Sequence, residues 1–233
     1  MNVICRRAEA SVRDALTALW MEAFSDSLED VTTFLETLAY TRHALVLCED
    51  NRVCSMLFLL PTAVQDGQRR FTVGYIYAGA THTDARGKGY YRRLLAYAEQ
   101  IAKQEGMVAL MLRPASEILF ATYRRMGFTV PLYGSVDRTA PIQTEEVLDA
   151  HRYAVYRRQL LDGQAFVDWD DRVWSLALSW CEAVTDGSCL ILRDDQNVWE
   201  CLPAEVQTET ALLMPLTDDF QTTAPVWFGY GLE

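Results

Sequence analysis

The stretch Thr81-His82-Thr83-Asp84-Ala85-Arg86-Gly87-Lys88-Gly89-Tyr90-Tyr91 decides how this chain is read. It follows Phe71 to Ala80, a run rich in aromatic, Val and Ile residues that predicts a strand. It precedes Leu94, Leu95, Ala98, Ile101 and Ala102 at helical spacing, in a segment reaching about Glu105 and ended by Gly106. A strand, a glycine-rich basic turn and a helix in that order make an anion cradle. Glycines let the backbone approach a ligand, and free N–H groups at a helix N-terminus attract phosphate. Arg86 and Lys88 add full charges. Taken alone, an ordinary β-to-α turn would carry the same residues. The patterns G-x-x-x-x-G-K-[ST] and G-x-G-x-x-G are both absent, so the ligand is neither a P-loop nucleotide nor a Rossmann dinucleotide. A different pyrophosphate ligand is required.

Upstream, the sequence predicts a short strand at Val3 to Arg6 and a helix over Val12 to Ala23 with Ser11 as its N-cap. A second helix covers Leu28 to Leu38. Ala44 to Cys48 and Val53 to Leu60 read as strands joined by the tight turn Glu49-Asp50-Asn51, and Gln65-Asp66-Gly67-Gln68 is another turn. Downstream, Val108 to Leu112 is fully apolar and predicts a buried strand. Pro114 forces a break, Ser116 to Met126 is helical, Gly127 caps it, and Phe128 to Val130 returns as a strand.

Of the 233 residues, 50% are hydrophobic and 23% charged, which places the chain among globular proteins able to bury a core. The six cysteines contain no C-x-x-C pair, and with three scattered histidines they assemble no zinc-ligand spacing; they read as reduced thiols, and no metal is expected. The start MNVICRRAEA has no apolar leader and the longest apolar stretch, Met56 to Leu60, is too short to span a bilayer, so a cytoplasmic location without membrane contact is expected. A net charge of -11 argues against nucleic acid as a partner. That charge is unevenly spread. Residues 1–135 carry 15 basic and 14 acidic side chains, residues 136–233 carry 6 and 18. Residues 86–125 alone hold eight basic side chains against three acidic ones, which suits an anionic ligand.

At Arg86-Gly87-Lys88-Gly89-Tyr90-Tyr91 the sequence resembles the GNAT superfamily of acyl-CoA-dependent N-acyltransferases, whose signature R/Q-x-x-G-x-G/A opens a helix after the fourth strand. A second family feature, aromatic-Tyr-x-x-hydrophobic-Gly-Phe, is matched by Tyr123-Arg124-Arg125-Met126-Gly127-Phe128. The resemblance covers about residues 3–135. It implies a mixed α/β fold with a central mixed sheet flanked by helices, and an N-acetyltransferase using acetyl-CoA as cosubstrate. It implies that Gly79, Thr81, Arg86, Gly87, Lys88, Gly89, Tyr90, Tyr91 and Ser116 bind the cofactor, with the pantetheine arm pairing along the strand end around Gly79 and Thr81. Tyr123 matches the tyrosine that protonates the departing thiolate. Three positions depart from the family: Tyr91 replaces a small residue, Ser116 replaces a pantetheine-binding Asn, and Thr83 stands where a Pro often precedes the loop. For the base, Glu22, Asp26, His82 and Asp84 are candidates, and no spacing isolates one. Tyr75 and Tyr77 alternate on the strand and line either the core or the acceptor pocket.

Residues 143–161 and 168–183 read as helices, the second with Asp168, Asp170 and Asp171 at its start and Trp174, Leu178 and Cys181 on one face. Strands Cys189 to Leu192, Val198 to Leu202, Ala211 to Leu216 and Pro225 to Leu232 follow. Ala44-Leu45-Val46-Leu47-Cys48-Glu49-Asp50 and Cys189-Leu190-Ile191-Leu192-Arg193-Asp194-Asp195 match locally, which frames residues 136–233 as a C-terminal α/β extension, a degenerate half-copy of the same fold without a second glycine-rich loop; a generic helix-hairpin extension is the plainer reading. Its carboxylates would attract a cation to one wall of the acceptor cleft, although the need for solubility would produce the same charge. The expected acceptor is a primary amine of a cationic small molecule or peptide, with a homodimer allowed. The alternative is a catalytically silent acyl-CoA-binding or protein-interaction module.

Overall fold

A computed structural model of the chain describes residues 2–38, 40–135, 146–204 and 207–230. The N-terminal segment contributes β1 (Val3–Arg7), α1 (Arg13–Phe24), α2 (Leu28–Thr37), α3 (Tyr40–His43), β2 (Ala44–Glu49), β3 (Arg52–Asp66), β4 (Arg69–Thr81), α4 (Tyr90–Gln104), β5 (Ala109–Leu112), α5 (Glu117–Arg124) and β6 (Val130–Ser135). The C-terminal segment adds β7 (Glu146–Val147), α6 (Ala150–Leu160), β8 (Ala165–Asp168), α7 (Asp171–Ala177), β9 (Glu182–Thr185), β10 (Leu190–Arg193), β11 (Val198–Leu202), β12 (Gln207–Pro215) and β13 (Val226–Trp227).

The main sheet is mixed and runs β1-β2-β3-β4-β5-β12-β6-β13-β8, and the far half of β3 pairs with β8, so that part of the sheet closes on itself. β4 and β5 are parallel, as are the pairs that β13 makes with β6 and β8; the other pairings are antiparallel. Alternate residues of β2 and β3 serve opposite faces, as the strand period requires. Leu45, Leu47, Leu57 and Leu59 pack with Leu94, Leu95, Ala98 and Ala102 of α4. Val46, Met56, Phe58 and Leu60 pack with Leu16, Trp20, Val31 and Phe34 of α1 and α2 and with α6 and α7. A smaller sheet, β11-β10-β9-β7, is hydrogen-bonded separately and packs into the same core through Ala183, Leu190, Leu192 and Leu202.

Several expectations need correction. Ser11 does not cap α1: Ala10–Val12 form a single 3-10 turn and the cap position is Val12, without a side-chain bond. The effective cap nearby is Ser27, whose hydroxyl accepts from the Asp30 N–H at the start of α2. The helix read over 168–183 shrinks to Asp171–Ala177, because Asp170 caps it and Asp168 belongs to β8, while Cys181 lies beyond its end and residues 182–185 are strand. The helix read from 143 begins at Ala150, capped by Asp149; residues 143–145 lie outside the described ones. The last strand is only Val226–Trp227, and 231–233 lie outside the described residues. The boundary placed after residue 135 adjoins the undescribed 136–145. β12, from beyond that boundary, is inserted between β5 and β6 and pairs with both.

A buried network ties the C-terminal segment together. Arg157 and Glu200 are almost wholly excluded from solvent, with the guanidinium Nε donating to the two carboxylate oxygens at 3.0 and 2.9 Å. Arg157 also donates to the carbonyls of Val167 and Phe228, and Glu200 accepts from Tyr153 and, at 2.7 Å, from the Trp227 indole. Each charge has a partner, which a buried ion pair requires.

Candidate active site

The opening of the site begins with a bulge. Met56 faces Ala80 and Phe58 faces Tyr77, so Ala78 and Gly79 together oppose Leu57, and Ala78 takes φ +46°. β5 accompanies β4 only from Val73 to Ile76 and ends at Leu112, so Ala78 to Thr81 have no strand partner on that edge among the described residues. The His82 N–H donates across to the Cys54 carbonyl. Alternate residues of a strand turn their peptide groups to opposite edges, so Thr81 and Gly79 present theirs to the open side. That edge bounds a cleft of about 450 Å³, lined also by Tyr77, Leu112, Pro114, Leu119 and Tyr123.

Just beyond this same C-terminal end of β4 the glycine-rich loop behaves as its sequence suggests. Gly87 and Gly89 have φ +77° and +75°, conformations that side chains resist, and Gly89 is the N-cap of α4 with no side-chain cap bond. The first N–H groups of a helix have no intrahelical acceptor, so α4 offers donors and its dipole to an anion. A second recess of about 430 Å³ lies here, lined by Thr81, Arg86, Gly87, Gly89, Tyr90, Tyr91 and Arg92 among others. Arg86 Nε donates to the Thr81 carbonyl at 3.2 Å. Lys88 and Tyr90 turn instead to Glu49, at 3.1 and 2.5 Å, and these two bonds, Tyr90 first, hold the Glu49 carboxyl below the usual range.

Tyr91 touches both recesses. Its phenol lies against Gly79, where an added Cβ would come 2.5 Å from the hydroxyl, and the hydroxyls of Tyr91 and Tyr123 are hydrogen-bonded at 2.9 Å. Burial pushes the Tyr91 phenol well above its ordinary value, and burial also raises Tyr123. Both are therefore neutral proton donors at physiological pH. Ser116 is exposed and its hydroxyl accepts from the Leu119 N–H at the start of α5, so its side chain is engaged in capping.

The four base candidates separate. His82 Nδ1 is 2.5 Å from Glu22 Oε2, and Glu22 also accepts from the Thr83 N–H and hydroxyl, which lower its pKa more than His82 does. Asp84 pairs with Arg52. Asp26 alone of the four lines the cleft, where it accepts from the Trp20 indole at 2.6 Å. Tyr75 is buried in the core beneath the cleft and Tyr77 is partly exposed on its wall. All six cysteines are free thiols. Among the described residues no helix is long and apolar enough to cross a membrane, and no three His, Cys, Asp or Glu side chains gather as a metal site.

Sequence reasoning missed an aromatic and acidic recess beside the cleft, about 230 Å³, where Asp30, Phe34, Trp180, Asp194 and Trp199 join Trp20 and Asp26. No signal of spacing could have found it, because its walls come from residues 20 to 230 of the chain.

Comparison with known proteins agrees with this geometry. The profile described as "Acetyltransferase (GNAT) domain" matches residues 5–130, more than half of the chain. The chain belongs to the GNAT acetyltransferase family. Among solved structures, this GNAT protein is similar to a GCN5-related N-acetyltransferase from Anabaena variabilis ATCC 29413, with TM-score 0.69 and 14% identity over 93% of this chain and 73% of that one. A GCN5-related N-acetyltransferase from Kribbella flavida gives TM-score 0.66 at 14% identity, covering 92% and 72%. Eis1 from Mycobacterium abscessus gives 0.67 at 10% identity, covering 92% and 74%. These likenesses show the fold, including the C-terminal segment. No curated protein matches the sequence. Family membership supports acyl-CoA-dependent acetyl transfer in general.

Proposed function

We propose that this protein transfers an acetyl group from acetyl-CoA to a primary amine of a cationic small molecule or peptide, by direct attack in a ternary complex. The observation that carries the reading is the edge of β4 at Gly79 and Thr81, which has no strand partner among the described residues and runs from the donor-rich start of α4 into a cleft that holds Tyr123. The cradle fits the cosubstrate: Gly87 and Gly89 leave open space for a pyrophosphate, and the strand edge can pair with the amide groups of a pantetheine arm as an added strand would. The neutral amine forms its C–N bond to the thioester carbon, and the oxyanion accepts from a peptide N–H of the open edge near Thr81. The C–S bond breaks, the thiolate takes the Tyr123 proton, and the amine gives up its own to Asp26 or to water. The products are an amide and free CoA thiol. In this reading residues 1–135 hold the cosubstrate and residues 136–233 wall the acceptor side.

The test is thiol release from acetyl-CoA across a panel of cationic amines, with Arg86→Ala and Tyr123→Phe alongside wild type. Saturable release that needs both residues supports the reading; no release with any amine overturns it. One observation favours the silent acyl-CoA-binding or interaction module instead: the Tyr91 phenol lies against Gly79, where the family carries a small residue. In that case acetyl-CoA raises the melting temperature without turnover, or fails to bind at all.

A further inference from the structure

Three indole N–H groups point at three carboxylates around the recess beside the cleft. Trp20 donates to Asp26 at 2.6 Å, Trp180 to Asp30 at 3.0 Å and Trp199 to Asp194 at 2.7 Å. Phe34, Tyr77 and Tyr230 complete the aromatic wall, with Phe34 against both Trp20 and Tyr77 and Trp199 edge-on to Tyr230. No basic side chain lines the recess, and among the described residues none pairs with these three carboxylates. Two of the pairs are local, and the third joins distant parts of the chain, Trp180 and Asp30 being 150 residues apart. The recess shares Trp20, Asp26 and Tyr77 with the reaction cleft.

We infer that this recess is a cage for an alkylated ammonium group. Ring faces attract a cation, most strongly when it is desolvated, and three carboxylates repel an anion and leave a neutral occupant without compensating charge. A primary ammonium seeks acceptors for three N–H donors, whereas six of the lining residues are aromatic and the carboxylates are already engaged, Asp26 by the Trp20 indole, Asp30 by Trp180 and the Ser27 hydroxyl, and Asp194 by Trp199 and the Gln196 and Asn197 N–H groups. An ammonium whose N–H groups are replaced by methyl groups asks for no such bonds and presents an apolar shell to the rings. Resting on the acetyltransferase reading above, the group is the second, non-reacting cationic end of the acceptor, whose primary amine lies in the adjoining cleft. The substrate class is then a diamine with one methylated nitrogen.

The first experiment needs no acetyl-CoA. The full chain is titrated with choline and with 3,3-dimethylbutan-1-ol, its neutral carbon isostere, following tryptophan fluorescence. We expect saturable quenching by choline and at least tenfold weaker binding of the isostere. Asp30→Asn, which keeps an oxygen to accept from the Trp180 indole, should weaken choline about tenfold while the melting shift from acetyl-CoA stays as in wild type. Equal binding of choline and the isostere, or no response to choline, overturns the cage. With acetyl-CoA present, 3-(dimethylamino)propylamine should show a KM at least tenfold below that of butylamine, and choline should compete with the amine. Equal KM values overturn the assignment to the acceptor. Choline binding without turnover of any amine overturns the acetyltransferase reading and leaves the cage standing.

Discussion

Tyr123 and Tyr91 share one hydrogen bond but differ in what the sequence discloses about them. The Tyr123 position is legible because a Gly-Phe pair follows it at fixed spacing, and Tyr91 is legible as a departure from a small residue. Their contact is not, because Tyr91 lies at the start of α4 and Tyr123 near the end of α5, 32 residues on, and no local pattern encodes how those helices meet. Tyr123→Phe should lower turnover by about 100-fold, the usual size of a general-acid contribution, with the KM for acetyl-CoA nearly unchanged. Tyr91→Phe keeps the ring and removes the bond to Tyr123, so it should lower kcat less and leave the acetyl-CoA melting shift intact. Both effects are read by steady-state kinetics. The pH dependence follows from burial. Tyr91, Tyr123 and Tyr153 all have raised folded values, and burial is the leading cause in each. A raised group contributes stability that is fully present below its unfolded value, near about 10 for a phenol, and lost as pH climbs through the folded one. Denaturant midpoints should therefore hold on this account up to about pH 10 and fall above it, and any alkaline limb in turnover due to Tyr123 should also lie above that pH.

Among the elements, the first half of the chain reads well because each strand and helix is long enough to show its period. β2, β3, β4 and α4 match their expected positions within a few residues, β3 alone running on past Pro61 to Asp66. The second half reads less well. β8 and β9 are four residues each, too short to show alternation, and the helix expected over 168–183 overlaps the end of one and the start of the other, whereas the Asp170 cap sets where the helix begins. β12 was legible as a strand, but its partners β5 and β6 were not, because pairing between residues about 80 to 100 positions apart leaves no trace in either run. The start of α4 carries its own expectation. Gly89 needs φ +75° and an added Cβ would meet open space there, so Gly89→Ala costs only the left-handed backbone strain, about 1–2 kcal/mol. The acetyl-CoA melting shift should shrink in this variant because relaxing that strain turns the first N–H groups away from the ligand. An unchanged shift would remove the loop from the binding site.

At the scale of the molecule, the two segments share the main sheet. A chain cut after residue 135 loses β12 and β13, so β5 is left with an unpaired edge and β6 loses both of its strand partners; circular dichroism and denaturant titration of residues 1–135 should show no cooperative transition. Glu200→Ala should cost about 3–5 kcal/mol, since it strands a buried guanidinium, and should loosen the Phe228 to Tyr230 stretch that Arg157 and the Trp169 indole hold by their carbonyls. The inserted strand also sets a timetable. While the chain is being made, β4 and β5 are finished long before residues 207–215 appear, and an apolar strand edge waits throughout that interval. The family domain therefore cannot mature as it emerges; its sheet closes only once residues 207–215 are available. The slow step is bringing distant segments together, and during it the newborn protein is most exposed to aggregation and most dependent on chaperones.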